Sequence, residues 1–359
     1  MKLLDWYIAK KYVSSYVFII LAMTLIIVVF DTSERIDDFV QKKAPLREII
    51  VDYYGNFVPY LINMFSGLFA FIAVIFFTSK LAGHTELIAM LSGGVSYRRI
   101  MRPYLMVAVL IALANCYLAN VTIPAAAQKR YEFETKYLRN PYQNTGRDIH
   151  RQSQRGRFVY FESFRVRDQT AFKFSLETIT DGELRAKLTS SYALWDTSLH
   201  VWRVYDYVER TFSDSGEVIR RGEQLDTLIN LTGKDLSVRV NNIIVTMSYH
   251  ELNEYIAMLR LQGATNVNEV LIEKHKRFAY PMASIILTII GLCISSRKVR
   301  GGMGLHIGVG VALSFGYILF QRFSEMFVQA GLLTPAVALW VPNVLFLLVG
   351  FWLYVKTPK

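Results

Sequence analysis

The sequence predicts an α+β membrane protein in which six transmembrane helices, arranged as three and three, flank an inserted β-rich domain. Six long stretches contain no Asp, Glu, Lys or Arg: Tyr12–Phe30, Tyr53–Thr78, Pro103–Ala127, Phe278–Ser296, Gly301–Gln321 and Leu332–Val355. Each has 19 to 26 residues, and about 20 helical residues cross the hydrocarbon core of a bilayer. Backbone amides in lipid must be satisfied within the segment, so each stretch is expected to be a helix.

The positive charges beside these segments predict their orientation, because short connections rich in Lys and Arg stay in the cytoplasm. The connections on the side of both termini hold 12 Lys and Arg residues, whereas those on the opposite side hold five. Both termini are therefore expected in the cytoplasm and the insert on the exported side. The polar stretch Gln128–Arg277 carries only +3 of the chain's net charge of +11, so a nucleic-acid-binding surface is not indicated.

Residues 128–265 form the predicted inserted domain, between membrane segments within residues 1–127 and within residues 266–359. Apolar and polar side chains alternate there, as is typical of β-strands. The expected strands include Phe158–Phe161, Phe172–Leu176, Ala186–Leu188, Val201–Tyr205 and Ile243–Thr246. Short strands at this spacing indicate a β-sandwich, a jelly roll or a partly open barrel. Ser248 and Glu251 then have the spacing of a capping box, which predicts the start of a helix.

The connection between the second and third segments is predicted to contain a short cytoplasmic helix over residues 85–93. Thr85 is its expected N-cap and Gly93-Gly94 its end, and Glu86 lies in the first turn, where the helix dipole favours a carboxylate. From the residues alone two interpretations stay open: a surface helix on lipid headgroups, or a docking site for a cytosolic partner. The partner would contact Glu86, the apolar stripe and the following arginine: Leu87, Met90, Leu91 and Arg98.

The sequence contains no recognisable catalytic or metal-binding motif. It lacks a phosphate-binding P-loop, a nucleophile elbow and a His-Glu-x-x-His sequence, and its six histidines and two cysteines do not have metal-ligand spacing. We therefore expect no catalytic residue, metal site or cofactor in this chain. Any active transport would need an external motor.

Five stretches of the chain carry a resemblance to a known family: Leu4–Lys10, Thr85–Ser96, Phe158–Glu162, Val201–Val204 and Gly308–Asn343. They resemble the LptF/LptG permeases of lipopolysaccharide export, LptG in particular, in the right order over nearly the whole chain. The resemblance implies an ABC-transporter permease of the bacterial inner membrane, with a periplasmic β-jellyroll domain. It also implies an LptF-like or second LptG-like permease, LptC- and LptA-like periplasmic proteins, and an LptB-like ATPase dimer that uses ATP and Mg. Glu86 and the apolar stripe would receive the ATPase's motion.

Lipopolysaccharide carries phosphates, which need cations, and acyl chains, which need apolar surface. The candidate cations near the exported ends of the helices are Arg35, Lys42, Lys43, Lys129, Arg130, Arg277 and Arg322. Arginine can bind phosphate through two charge-assisted hydrogen bonds. The candidate acyl path in the β domain is Phe158, Tyr160, Phe172 and Phe174. Interfacial anchors, for the cations, and plain core, for the aromatic residues, remain the alternative interpretations.

Two other functions stay open at this level. One is a permease of another ABC system, which exports lipoprotein or peptide; the other is a non-transporting membrane scaffold with a β-rich receptor domain. Co-isolation with a cytosolic ATPase would distinguish a transport subunit from a scaffold.

Overall fold

The chain forms two compact units in the computed structural model, one of Met1–Leu138 with Leu271–Lys359 and one of Arg139–Val270. The described residues are 3–138, 147–213, 216–233, 236, 243–261, 267–296 and 302–357, and for 147 and 302–307 only the backbone is described. The first unit is helical and the second contains a β-sheet, so the predicted α+β class is confirmed.

Most of the membrane helices extend beyond the apolar stretches that predicted them, whereas the last one keeps nearly its predicted bounds. They are α1 Leu3–Gln41, α2 Leu46–Gly83, α3 Glu86–Ser92, α4 Tyr97–Tyr137, α5 Tyr249–Leu261, α6 Val267–Ser295, α7 Gly302–Gln329 and α8 Pro335–Lys356. Single π-helical turns interrupt α2 at Ile49–Tyr54 and α4 at Leu118–Thr122. Ion pairs one turn apart support the polar extensions; in α1, Arg35 Nε lies 2.9 Å from Asp31 Oδ1.

Five helices of the described part of the chain are long and apolar enough to cross a membrane: α1, α2, α4, α6 and α8. The fifth predicted segment falls within α7, a helix of 28 residues, which is not one of those five. The three-plus-three arrangement is therefore not confirmed. The most apolar window of α1 is only 6% buried, whereas that of α6 is 67% buried, so α6 packs inside the helical unit and α1 lies at its surface.

Hydroxyl groups link the helices inside this unit. Tyr12 of α1 shares a hydrogen bond of 2.8 Å with Thr288 of α6, and Thr78 of α2 shares one of 2.9 Å with Tyr104 of α4. A buried hydroxyl without a partner costs free energy, particularly where no water can replace the bond. These pairs therefore permit polar side chains inside an otherwise apolar bundle.

Six antiparallel strands form one sheet, in the order β1 to β6 along the chain. They are β1 Arg147–Gln154, β2 Arg157–Arg165, β3 Thr170–Thr180, β4 Glu183–Asp196, β5 Val201–Ser213 and β6 Gly216–Thr227. A jelly roll needs Greek-key connections, whereas these strands pair only with their sequence neighbours, so the jellyroll is not confirmed. The prediction of a strand at Ile243–Thr246 is wrong: Thr246 N donates to Ile243 O at 2.9 Å, which closes a turn.

Three helix ends test the sequence-based predictions. The capping box is confirmed, because Ser248 N donates to Glu251 Oε2 at 2.8 Å and Glu251 N donates to Ser248 Oγ at 3.3 Å. Gly94, with φ of +81°, follows α3 as expected. The N-cap prediction for Thr85 is wrong: its φ is 59°, outside the extended region that N-caps need, and its hydroxyl donates to His84 O.

Candidate functional site

The sheet is interrupted along one line that crosses all six strands. The residues on this line are Asp148, Glu162, Lys173, Ser191, Asp206 and Glu223, and none forms a ladder pair across it, although the register is the same on both sides. Asp148, Lys173 and Asp206, on alternate strands, have φ of 52°, 50° and 49°. A left-handed residue inside a strand breaks the pleat, so the sheet bends along this line.

A cavity of about 1060 Å³ lies at the bend, entirely within the β unit. Asp148, Lys173 and Asp206 line it together with the apolar side chains of Phe158, Val159, Phe174 and Val208. Its volume is at the upper end of the range for ligand pockets. Apolar side chains beside charged ones give a site that suits an amphiphilic molecule.

Tyr160 occupies one wall of this cavity. Its hydroxyl donates to Asp148 Oδ1 at 2.8 Å, and its ring centroid lies 4.6 Å from that of His150. The hydrogen bond to the carboxylate raises the pKa of the phenol, since ionisation would place two negative charges side by side. Tyr160 therefore remains a neutral hydrogen-bond donor at physiological pH.

The cavity brings together three of the four predicted acyl-path residues, Phe158, Tyr160 and Phe174. Phe174 also packs into the core of the sheet, where its ring stacks on Trp202 with centroids 6.2 Å apart. Phe172 is not among the cavity residues: the Arg165 guanidinium lies 4.7 Å from its ring centroid. The alternation in the sequence identified the aromatic residues but not the bend that separates Phe172 from the others.

In the helical unit, three of the predicted phosphate-binding arginines are paired with carboxylates of their own helices. The pairs are Arg130–Glu134, Arg277–Glu273 and Arg322–Glu325, each with a nitrogen–oxygen distance of 3.2 Å. The sequence-based prediction named only the cations and not these three glutamates. Their spacing of three or four residues from an arginine was the available signal.

Glu325 joins two helices through its carboxylate. Oε1 lies 3.1 Å from Lys276 Nζ of α6 and accepts a hydrogen bond from the Tyr280 hydroxyl, while Oε2 lies 3.2 Å from Arg322 of its own helix. Its side chain is only 11% exposed and that of Lys276 22%. This carboxylate therefore compensates two cations in a largely desolvated setting.

The remaining predicted cations are three lysines and Arg35. Lys42, Lys43 and Lys129 are exposed. Arg35 is held by Asp31 and its guanidinium lies 5.6 Å from the Tyr53 ring centroid. The seven candidates thus fall into an exposed group of lysines and a group of arginines that already have partners.

The short helix α3 places its apolar stripe against the bundle. Leu87 is 1% exposed, and Met90 and Leu91 pack beside it in the same core, whereas Ile88 is 46% exposed. Glu86 accepts a hydrogen bond of 3.1 Å from the Tyr7 hydroxyl of α1. Leu87 therefore faces the core of the helical unit, whereas Ile88 faces outward.

Arg98 links the beginning of α4 to the end of α8, since its Nε donates to the Tyr354 hydroxyl at 3.1 Å. The side chain is exposed, so it remains accessible to a partner. Its neighbour Arg99 lies 3.7 Å from Asp5 of α1. The first turn of α4 thus contacts both α1, near the beginning of the chain, and α8, near its end.

Residues 6–356 match the family model described as lipopolysaccharide export system permease LptF/LptG. A comparison with curated proteins gives no match. The family match covers nearly the full chain and does not distinguish LptG from LptF. Together with the apolar helices of the chain, this match indicates a multi-pass protein of the inner membrane that is a transport subunit rather than an enzyme. The chain belongs to the LptF/LptG family of lipopolysaccharide export permeases.

Proposed function

We propose that this chain is the permease subunit of an ABC transporter that extracts lipopolysaccharide from the inner membrane and passes it to a periplasmic bridge. The cavity in the bent sheet is the observation that carries this proposal beyond family membership. It offers apolar side chains for acyl chains and charged groups beside them, in a volume of about 1060 Å³. Phe158, Tyr160 and Phe174 would contact the lipid.

The exposed lysines are the first candidates to meet the phosphates of the substrate. Lys42, Lys43 and Lys129 have no carboxylate within ion-pair distance among the described residues. A lipid phosphate can bind them in exchange for water alone. At Arg130, Arg277 and Arg322, a phosphate would instead have to replace a carboxylate, so these three arginines would bind the substrate more weakly.

The membrane unit is proposed to have six transmembrane helices, three on each side of the periplasmic domain, with both termini in the cytoplasm. The excess of Lys and Arg on the terminal side supports this orientation. It places α3 in the cytoplasm, where Glu86, Ile88 and Arg98 would meet an LptB-like ATPase dimer that binds ATP and Mg. An LptF-like or second LptG-like permease would complete the membrane part, and LptC- and LptA-like proteins would receive the lipid.

Photo-crosslinking tests the cavity as the substrate path. A photoreactive phenylalanine analogue replaces Phe158 or Tyr160 in the complete transporter, reconstituted with lipopolysaccharide. Val218 of β6, which is 57% exposed and not a cavity residue, is the matched control position. We expect ATP-dependent crosslinks to lipopolysaccharide at the two cavity positions and a background level at Val218. Equal crosslinking at all three positions, or none at the cavity, would contradict the proposal.

Co-purification tests the coupling role of α3. Glu86→Ala should leave membrane insertion intact but reduce association with the cytosolic ATPase, because it removes an accessible charge and the anchor of Tyr7. Ser92→Ala, an exposed change on the same helix, is the control. Normal export by Glu86→Ala would contradict a role for this carboxylate in coupling. Export of a lipoprotein instead of lipopolysaccharide would contradict the proposed substrate.

A further inference from the structure

The helical unit contains a groove of its own, between α1 and α2 and beside Glu86, the first residue of α3. Its volume is about 270 Å³. The side chains that matter for its chemistry are two lysines, two serines and two phenylalanines: Lys11, Lys80, Ser14, Ser15, Phe18 and Phe76. None of them belongs to the candidate sites described above.

The groove has a positive character. Lys11 and Lys80 are exposed and neither forms an ion pair with a described carboxylate. The one acidic residue of the groove, Glu86, already accepts the hydrogen bond from Tyr7, at 3.1 Å. The Lys11 ammonium lies 5.9 Å from the centroid of the Tyr7 ring. Two lysines with two neighbouring hydroxyl groups form a set of donors that matches a phosphate.

The groove is also open to lipid on its apolar side. Phe18 is 65% exposed and Phe76 is 41% exposed, and both helices are long and apolar enough to cross a membrane. Lysine side chains near the ends of such helices extend towards headgroup level. A ligand of the groove therefore meets cations and hydroxyls at one end and aromatic surface at the other.

We propose that this groove binds an anionic membrane lipid, with its phosphate between Lys11 and Lys80 and its acyl chains against Phe18 and Phe76. Ser14 and Ser15 donate hydrogen bonds to the phosphate oxygens. The site lies at the level of α3, which the proposed orientation assigns to the cytoplasmic leaflet. It is thus separate from the path of the exported lipid and does not depend on the identity of that substrate.

The position of the groove gives the bound lipid a structural role. A phosphate held by α1 and α2 next to the Tyr7–Glu86 hydrogen bond keeps α1, α2 and α3 together. α3 is only seven residues long, too short to be a stable helix without tertiary contacts. The lipid therefore adds to the packing of Leu87 in stabilising the helix that is proposed to receive the motion of the ATPase.

Native mass spectrometry of the full-length protein in detergent, titrated with phosphatidylglycerol, tests the site. A direct contact between an exposed lysine and a phosphate contributes up to about 1 kcal/mol, so Lys11→Gln or Lys80→Gln should weaken binding up to about fivefold and the double variant up to about 25-fold. Lys10→Gln is the matched control, because Lys10 is exposed on the same helix but does not line the groove. Phosphatidylcholine should bind more weakly than phosphatidylglycerol in the wild type.

Unchanged phosphatidylglycerol affinity in the double variant, or an equal loss in Lys10→Gln, would overturn the site. Competition by inorganic phosphate at the same concentration as the lipid would show a site for soluble anions and would overturn the lipid as ligand. Lipopolysaccharide binding is measured in the same samples and should stay at the wild-type level. If the wild-type protein does not bind lipopolysaccharide, the proposed substrate is wrong, whereas the groove remains supported by its phosphatidylglycerol binding.

Discussion

Glu325→Gln tests whether one carboxylate both stabilises the helical unit and restrains its cations. The substitution keeps the size of the side chain, and its amide oxygen can still accept the Tyr280 hydrogen bond. It removes the negative charge that lies 3.1 Å from Lys276 and 3.2 Å from Arg322. Lys276 and Arg322 then lose the carboxylate that lies within ion-pair distance of each.

The burial of the three side chains sets the size of the expected effect. Breaking a buried ion pair costs about 3–5 kcal/mol, whereas an exposed pair contributes about 0.2–1 kcal/mol. Lys276 is 22% exposed and Arg322 is 44% exposed, so the first pair lies nearer the buried limit and the second nearer the exposed one. We expect a loss of about 2 kcal/mol, which is roughly a 30-fold change in the folding equilibrium.

The assay is reversible unfolding by sodium dodecyl sulfate in mixed micelles, paired with lipopolysaccharide binding by native mass spectrometry. Glu132→Gln is the control, because Glu132 is an exposed glutamate of α4. Stability should fall only in Glu325→Gln, while lipopolysaccharide affinity should rise about fivefold, as a freed cation is worth roughly 1 kcal/mol at the membrane surface. Equal stability of the two variants, or weaker lipid binding by Glu325→Gln, would refute this reasoning.

Three further predictions concern the β unit. The Ser248 amide lowers the pKa of Glu251 by bonding its carboxylate, so the stabilisation of α5 is present above the unfolded pKa and is lost as the pH falls through the folded pKa. In Glu251→Gln, the stability of α5 should depend less on pH, which hydrogen exchange corrected for intrinsic rates would measure. Trp202→Phe removes the indole bond of 2.7 Å to the buried Leu231 carbonyl and should cost about 1–3 kcal/mol in urea unfolding followed by near-ultraviolet circular dichroism. Gly156→Ala, at φ of +79°, should cost at least about 1 kcal/mol, seen as an earlier midpoint in pulse proteolysis, and an unchanged midpoint would contradict it.

The helices could be predicted from sequence because lipid admits few charged side chains. Their ends could not, since hydropathy records which residues tolerate lipid and not where backbone hydrogen bonding stops. α1 continues for 11 residues past Phe30, as far as Gln41, and the Asp31–Arg35 ion pair lies in this extension. The spacing of charges, rather than hydropathy, predicts such a continuation.

The sheet was only partly predictable for a related reason. β2 to β5 contain alternating apolar residues, whereas β1 and β6 are the two edges of the sheet and are mostly polar. An edge strand with little apolar surface has no periodic signal to detect. The bend was also hidden: Asp is one of the residues that tolerate left-handed backbone, which gives Asp148 and Asp206 a weak signal, but Lys173 has none.

The charge pattern of the membrane unit bears on how a transporter releases its cargo. A phosphate that reaches Lys42 replaces only water, but one that reaches Arg130 or Arg322 competes with a carboxylate 3.2 Å away. The net binding free energy at the arginines is the difference between two charge-assisted contacts, and is therefore small. On the proposed function, a substrate that binds the exposed lysines and then meets the paired arginines would be attracted to the protein without being trapped by it, because each carboxylate would return to its arginine as the phosphate leaves.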